Sequence, residues 1–457
     1  MIFRAMFILS LGLSCSQVLL EARAQSPATM SLESVYQLAI EQAPTLAIAK
    51  YRVDSAEAQR ADARGSLLPQ LSLFGEWSEN KLSYDGPLSA FYGRENYPGE
   101  RYGFQARQAL FNMSRFREMQ RRGALFDRSE GDLAQAEIEL LMQVADAYLT
   151  VLGEDNTVSQ FQVESEALEK QLDEAQALYS RSLLPLTQVL ETQTRSETVK
   201  ADLIQAEGEA AIARERLTEL IGVRDFELMD IAEGVTLTAR MVSPEQAVAE
   251  ALQNSPAVAA AKDSADAAEF GIKREKGSWW PEVSLVVNHQ YSDVGFDNLT
   301  SPPRTTESVS IAVSYPLIQG GAGSARIRGA WAEFYAAKEE LEGVKRQVET
   351  QTRSAWVRLI AANKRIIAAQ QALDTANVNV SAAQKSVKAG AARVTDVLFA
   401  LAQRTRAQRD RFFAEQQRIM AWLELELITG SEPGAVAPVL SDALLSTAAV
   451  SATAASQ

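Results

Sequence analysis

Histidine and cysteine are almost missing from this 457-residue chain, which holds one of each, Cys15 and His289. A disulfide framework, a thiolate nucleophile and an imidazole or thiolate metal centre all need more of these residues than are present. A metal would have to be held by carboxylates alone. The paired acids, Glu164 with Glu166 and Asp173 with Glu174, stand among basic residues on helical faces and read as solvated charge. No catalytic group, no metal and no cofactor are expected. Beyond the first two dozen residues there is also no apolar run of about 18 residues, the length a membrane-spanning helix requires. Insertion into a bilayer would have to use strands. Basic residues are outnumbered too, 45 Lys and Arg against 59 Asp and Glu for a net charge of −14, which argues against nucleic acid as a partner.

What is present begins with a secretory signal pattern over residues 1–24. Arg4 supplies positive charge, Ala5 to Leu13 form a short apolar core, and Ala22-Arg23-Ala24 fits a small-residue cleavage site. Cys15 would leave with that segment. A rival reading makes Cys15 a lipidation site, with Gly12 where an aliphatic residue is normally wanted.

The strongest feature is an internal repeat. Residues 31–73 match 243–285 at a constant shift of 212, with Ser31/Ser243, Glu33/Glu245, Pro44/Pro256, Asp54/Asp266, Gly65/Gly277 and Pro69/Pro281 among the identities. Further on the shift becomes 208, so that Thr187 answers Thr395, Val189-Leu190 answers Val397-Leu398, and Gly222 answers Gly430. The four extra residues of the first copy fall around the hairpin loops, where insertions are tolerated. The chain thus divides into a first repeat over 25–222, a connecting segment over 223–242, a second repeat over 243–430 and an Ala/Ser-rich tail over 431–457 expected to be weakly ordered.

Each copy opens with a short helix, Leu32 to Gln42 or Pro244 to Asn254, that stops before Pro44 or Pro256 because the residue preceding proline disfavours helical angles. A second helix runs to Gly65 or Gly277, and then the period changes to two. Val309, Ile311, Val313 and Tyr315 alternate with small residues, Val283, Leu285, Val287, His289 and Tyr291 alternate less cleanly with Ser284, Asn288 and Gln290, and Leu71, Leu73, Gly75 and Trp77 pair with Phe104 and Ala106. These strands have the length of tilted membrane strands, although a half-buried soluble hairpin would alternate in the same way. Between the first pair, Tyr84, Phe91, Tyr92, Tyr97 and Tyr102 stand among Gly86, Pro87, Gly93, Pro98 and Gly99, which suggests an extracellular aromatic loop. Gly320-Gly321-Ala322-Gly323 has Arg326 where a dinucleotide fingerprint needs its third glycine, and reads as a strand-to-helix turn. His289 reads as an outward strand residue near a membrane interface.

Helical stretches of unusual length follow, about Ser114 to Tyr179 and Ser324 to Val387, without internal proline. Leu141, Val144, Tyr148 and Val151, and Val348, Thr352, Ala355 and Leu359, recur at coiled-coil-like spacings. Each turns and returns as a second helix to Gly222 or Gly430. Four strands cannot close a membrane barrel, and narrow apolar stripes on long helices need neighbours on both sides. The physics points to an oligomeric tube.

The order of elements, the strand ending SYPLIQGG at 314–321, and the turns YSRSLLPLTQVL at 179–190 and VKAGAARVTDVLFA at 387–400 resemble the TolC family of outer-membrane export ducts. The resemblance implies a mainly α fold with a transmembrane β-barrel part: a homotrimer whose 12-strand barrel continues into a long α-helical barrel. It also implies an outer-membrane position with the helices in the periplasm, contact with outer-membrane lipid, and docking on a periplasmic adaptor (membrane fusion) protein tied to an inner-membrane transporter. The chain would be a passive duct of a tripartite efflux pump or a type I secretion system, not an enzyme. The competing readings are a soluble periplasmic coiled-coil adaptor, which would lack the serine-alternating strands, and a secreted enzyme.

Site residues follow from the same match. Asp396 stands at the family's Thr-Asp-Val aspartate, which implies a pore constriction, and Gly390 at its turn glycine. In the first copy these are Gln188 and Ser182, and the second acidic position beside Asp396 is Phe399. A carboxylate just inside a helix also suits the exposed amides of its N-terminus, and both roles can hold for Asp396. The adaptor-contacting tips are Ser182, Leu183, Leu184 and Pro185 in the first copy and Ala389, Gly390 and Ala391 in the second. Apolar Leu183, Leu184 and Pro185 are unusual in a merely solvated turn, although a staple between the two helices would also use them.

Overall fold

The computed structural model describes residues 29–83, 94–231, 237, 243–294, 302–389 and 391–445. The signal segment, loop residues Tyr84, Gly86, Pro87, Phe91, Tyr92 and Gly93, most of the second half of the connecting segment, and Gly390 lie outside the described residues.

The repeat recurs in the caps. In α1 (Leu32–Gln42) the Ser31 hydroxyl accepts from Ser34 N–H at 3.3 Å, and in α5 (Pro244–Asn254) the Ser243 hydroxyl accepts from Gln246 N–H at 3.3 Å. Such a side chain satisfies one of the orphan amides of the first turn. Helices α2 (Pro44–Gly65) and α6 (Pro256–Gly277) start on their prolines, whose fixed φ suits the first helical position. Each leads into two strands, β2 (Gln70–Ser83) and β3 (Arg94–Phe111), then β5 (Glu282–Val294) and β6 (Arg304–Ser314). The long helices α3 (Met113–Ser180) and α7 (Ala322–Lys388) have 68 and 67 residues, and α4 (Leu186–Ile221) and α8 (Val394–Ile428) run back along them. At 1.5 Å per residue α3 and α7 are about 100 Å long. Both arise without a breaker: Asn112 Oδ1 caps α3 through Arg115 N–H at 2.9 Å, and left-handed Gly320 and Gly321 turn the chain into α7, as the glycine-rich motif suggested.

The four strands form one antiparallel sheet in the order β2-β3-β5-β6. Its register sorts the side chains. Leu71, Ala106, Val287 and Val309 stand in one row, with Leu285 and Ile311 in the next and Leu73 and Phe104 on the other side. Opposed residues share a face, and this face carries an open apolar band, with Leu73 83% and Ile311 65% exposed, while Gln108, His289 and Glu307 stand in its rows. The opposite face carries Ser72, Gln105, Asn288 and Ser308 in one row and Gln70, Arg107, Val286 and Ser310 in another. Tyr102 and Tyr291 stack at 4.8 Å on the apolar face, and Phe104 lies against His289, whose Nδ1 is 3.1 Å from Glu307. Strand β3 extends farther than expected: Tyr97, Pro98, Gly99 and Tyr102, assigned to an aromatic loop, are paired with β2 residues from Asn80 to Gly75. Glycine and proline masked the strand period there, and Gly103 is required by close backbone approach, since a Cβ would come 2.1 Å from His289 O.

Away from the sheet, α3 packs between α2 and α6; farther along it lies against α4 and α8. The main core sits at the middle of the long helices, where Tyr36, Leu141, Tyr148, Leu217, Ile221, Ile419 and Leu423 are buried together. Tyr148 donates to Met229 O at 2.7 Å, and so ties α3 to the parallel pair β1 (Thr29–Met30) and β4 (Glu227–Leu228), the latter in the connecting segment. The tail departs from expectation. Residues Pro433–Leu445 form α9, and Val436, Ala437, Leu440 and Leu444 are buried in the main core. Alanine and serine content hid an apolar stripe at helical spacing, and burial outweighed composition. Residues after 445 lie outside the described part.

Candidate functional site

The α3–α4 tip is closed by backbone geometry. Leu183 N–H reaches Leu178 O at 2.9 Å and Ser182 N–H reaches Tyr179 O at 2.8 Å. These are the two bonds of a Schellman end, which needs a left-handed residue between them. Ser182 takes that place at φ 59°, the position the repeat gives to Gly390. The α7–α8 tip repeats the longer bond, Ala391 N–H to Ser386 O at 2.9 Å, with both partners shifted by 208. A side chain in the left-handed region costs about 1 kcal/mol. Ser182→Gly should therefore raise stability by about 1 kcal/mol, read as a higher urea midpoint, and a lower midpoint would contradict the strain.

Beyond each turn the returning helix places Gln188 and Asp396 alike. Gln188 N–H donates to Pro185 O at 3.2 Å and Asp396 N–H to Arg393 O at 3.0 Å. Only the second has a side chain that folds back: Asp396 Oδ2 accepts from Arg393 N–H at 2.9 Å. The helix-end role of Asp396 is thus realised, and its residue remains exposed at the tip. Gln188 is half-buried. Leu183 is exposed, Leu184 half-buried, and Pro185 is the exposed N-cap of α4. Ala389 and Ala391 are exposed between Lys388 and Arg393. The first tip carries Leu183 and Pro185 beside the exposed Arg181, and the second carries small residues between Lys388 and Arg393. Phe399, at the family's second acidic position, is 65% exposed.

The structure adds features that were not anticipated. Exposed apolar residues run along the outer edges of the helical layer, Leu186, Leu190, Ile204 and Ile212 on α4 and Val357, Ile367 and Val378 on α7. Their spacing of ten or eleven residues on α7, three helical turns, was the available signal. Glu164 is not solvated charge. It is buried against α4, where Arg195 Nη2 meets its Oε1 at 2.6 Å, while Glu166, Asp173 and Glu174 are exposed as expected. This pair lines a cavity of about 430 Å³ that also holds Glu154 and Arg409. Burial, then the nearby Glu209, raises the Glu154 pKa. Among the described residues no group of three His, Cys, Asp or Glu could hold a metal ion, and no helix is long and apolar enough to cross a membrane.

The family model described as outer membrane efflux protein matches residues 35–223 and 247–431, one match per repeat. Alkaline protease secretion protein AprF of Pseudomonas aeruginosa is 25% identical over 406 residues, covering 86% of this chain and 83% of AprF. Outer membrane protein TolC of Escherichia coli is 24% identical over 411 residues, covering 88% of this chain and 82% of TolC. The crystal structure of the Campylobacter jejuni CmeC outer membrane channel superposes with a TM-score of 0.77 at 14% identity, covering 90% of this chain and 89% of that one.

Proposed function

The chain belongs to the outer membrane efflux protein family, as an outer-membrane efflux channel with its long helices in the periplasm and no enzymatic activity, and we propose that three copies build one duct. The supporting observation is the unfinished sheet. Among the described residues, strands β2 and β6 each leave one edge unpaired, and edges with unsatisfied amides are not tolerated in lipid. Three sheets of four strands would close a 12-strand barrel with the apolar face toward lipid and the serine-bearing face toward the lumen. The helical layer asks for the same neighbours, since exposed apolar residues line both its edges. The single chain exposes 29133 Å²; a globular monomer of its mass would expose about 17,000 Å². An unheated gel and native mass spectrometry of the detergent-extracted protein should give a trimer, and a monomer would overturn the assembly.

The duct docks through Ser182–Pro185 and Ala389–Ala391 on a periplasmic adaptor that links it to an energised inner-membrane transporter of an efflux or type I secretion assembly. Support comes from the exposed apolar Leu183 at a turn and from the different chemistry of the two tips. A photo-crosslinker at Leu183 should capture a periplasmic protein in intact cells; products containing only the chain itself would count against docking there. Asp396 lines the constriction in three copies, beside Gln188. Asp396→Ala should weaken block by multivalent cations in planar bilayers on the order of tenfold, because three carboxylates in a narrow mouth concentrate counter-ions. Unchanged block would leave Asp396 only its helix-end role.

A further inference from the structure

A group of arginines gathers where the sheet meets the helices, and neither docking nor the constriction uses it. Arg107 and Glu282 lie on the polar face of the sheet, with Arg107 Nη2 3.9 Å from Glu282 Oε1 and 3.5 Å from Ser284 Oγ. Arg115 Nη2 approaches the same carboxylate at 3.8 Å, and its Nη1 donates to Ser66 O at 2.9 Å. The first turn of α3 therefore continues the polar face. Glu118 and Arg122 follow at helical spacing on that side. Glu118 accepts from Arg122 at 2.7 Å, Arg121 at 3.2 Å and Arg274 of α6 at 3.1 Å. Arg274 also meets Glu275 at 2.6 Å, and Glu275 receives Arg326 of α7 at 3.2 Å. The ladder crosses three helices beneath the sheet.

Its charges do not balance. Six guanidiniums face three carboxylates, and the carboxylates are the enclosed partners: Glu275, Glu118 and Glu282 are 14, 24 and 33% exposed, whereas Arg107, Arg326 and Arg115 are 56, 47 and 39% exposed. Burial alone would raise the Glu118 pKa, but hydrogen bonds from Arg274 and Arg122 hold it below the usual carboxylate value. The next pair along the sheet, Arg101 with Glu76 at 3.7 Å, is self-neutralising. The ladder therefore carries a net positive charge, in a chain whose net charge is −14. A surplus of one sign inside a wall of low dielectric focuses the field and concentrates ions of the other sign.

We infer that this ladder is an anion-binding collar at the junction of barrel and helical tunnel, taking multivalent oxyanions through guanidinium forks. The inference rests on the trimeric duct proposed above, in which three copies of the collar surround one lumen. Cargo bearing clustered carboxylates or phosphates would be held there after passing the mouth at Asp396, so the duct would carry bands of opposite charge at two levels.

Inorganic pyrophosphate added to the full-length protein in planar bilayers tests the collar. It should block the open channel at low salt, and the half-blocking concentration should rise on the order of tenfold in Arg107→Gln/Arg326→Gln, whose positions are the most exposed. Arg107→Lys/Arg326→Lys, which keeps the charge, should stay close to the parent. The same preparations are run on an unheated gel. A trimer with normal conductance that pyrophosphate does not block, or blocks equally in the glutamine variant, overturns the collar while leaving the duct. Absence of the trimer in the parent overturns the duct, and the collar with it.

Discussion

Arg195→Leu should destabilise the α3–α4 hairpin by about 3–5 kcal/mol. The Glu164 side chain is 4% exposed, and Arg195, at 2.6 Å, is the partner of its Oε1. Its other oxygen is enclosed with no hydrogen-bond partner among the described residues. Removing the guanidinium leaves a buried carboxylate without its ion-pair partner. The reverse exchange, Glu164→Leu, is milder, because the Arg195 side chain is 31% exposed and can turn to water. Replacing both with leucine should come close to the parent, since an apolar pair of similar volume avoids the desolvation cost. Urea midpoints of the detergent-extracted protein decide the matter, with limited proteolysis locating the loosened segment. Equal losses for the two single variants would mean that Glu164 finds other partners.

Gly430→Ala should cost about 3 kcal/mol, and Gly222→Ala, the matching exchange in the other repeat, about 1 kcal/mol. Both glycines end a returning helix in the left-handed region, at φ 100° and 71°. A side chain at either incurs a conformational penalty, and it is larger at the φ 100° of Gly430. They differ in surroundings. At Gly430 a new Cβ would lie 2.2 Å from Asn254 Cβ, an atom fixed to the backbone of α5, and Asn254 Nδ2 is already committed to Thr429 O at 3.1 Å. At Gly222 the nearest atom is Gln42 Cγ, in ordinary contact at 3.7 Å. Thermal and urea unfolding of the two variants side by side checks the difference, and equal losses would show that α5 yields at no cost.

The elements were legible in the sequence because backbone chemistry announces them. Pro44 and Pro256 open helices, Gly65 and Gly277 close them, and serine alternation marks β5 and β6. These signals are local, and the repeat shows each of them twice. What the sequence hid depends on neighbours distant along the chain. Glu164 resembles Glu166 as a residue type, and only the approach of α4 makes one buried and the other solvated. The stripe in α9 is diluted by alanine and serine until the main core covers it. The tip turns were legible through their glycine, but Ser182 shows that the backbone keeps its left-handed geometry where the sequence no longer marks it.

The position of the main core along α3 has a mechanical consequence. The buried cluster engages this helix from about Leu140 to Leu152, and one smaller cluster, at Phe161 and Leu168, follows toward Ser180. Beyond Leu152 the helix runs on for about 42 Å, held by α4 and α8 through a thinner set of buried contacts than at the main core. Displacement accumulates along the less firmly packed stretch, so it is largest at the end farthest from the membrane. A change of calibre at that end then needs little repacking at the main core, and the barrel can remain still while it happens.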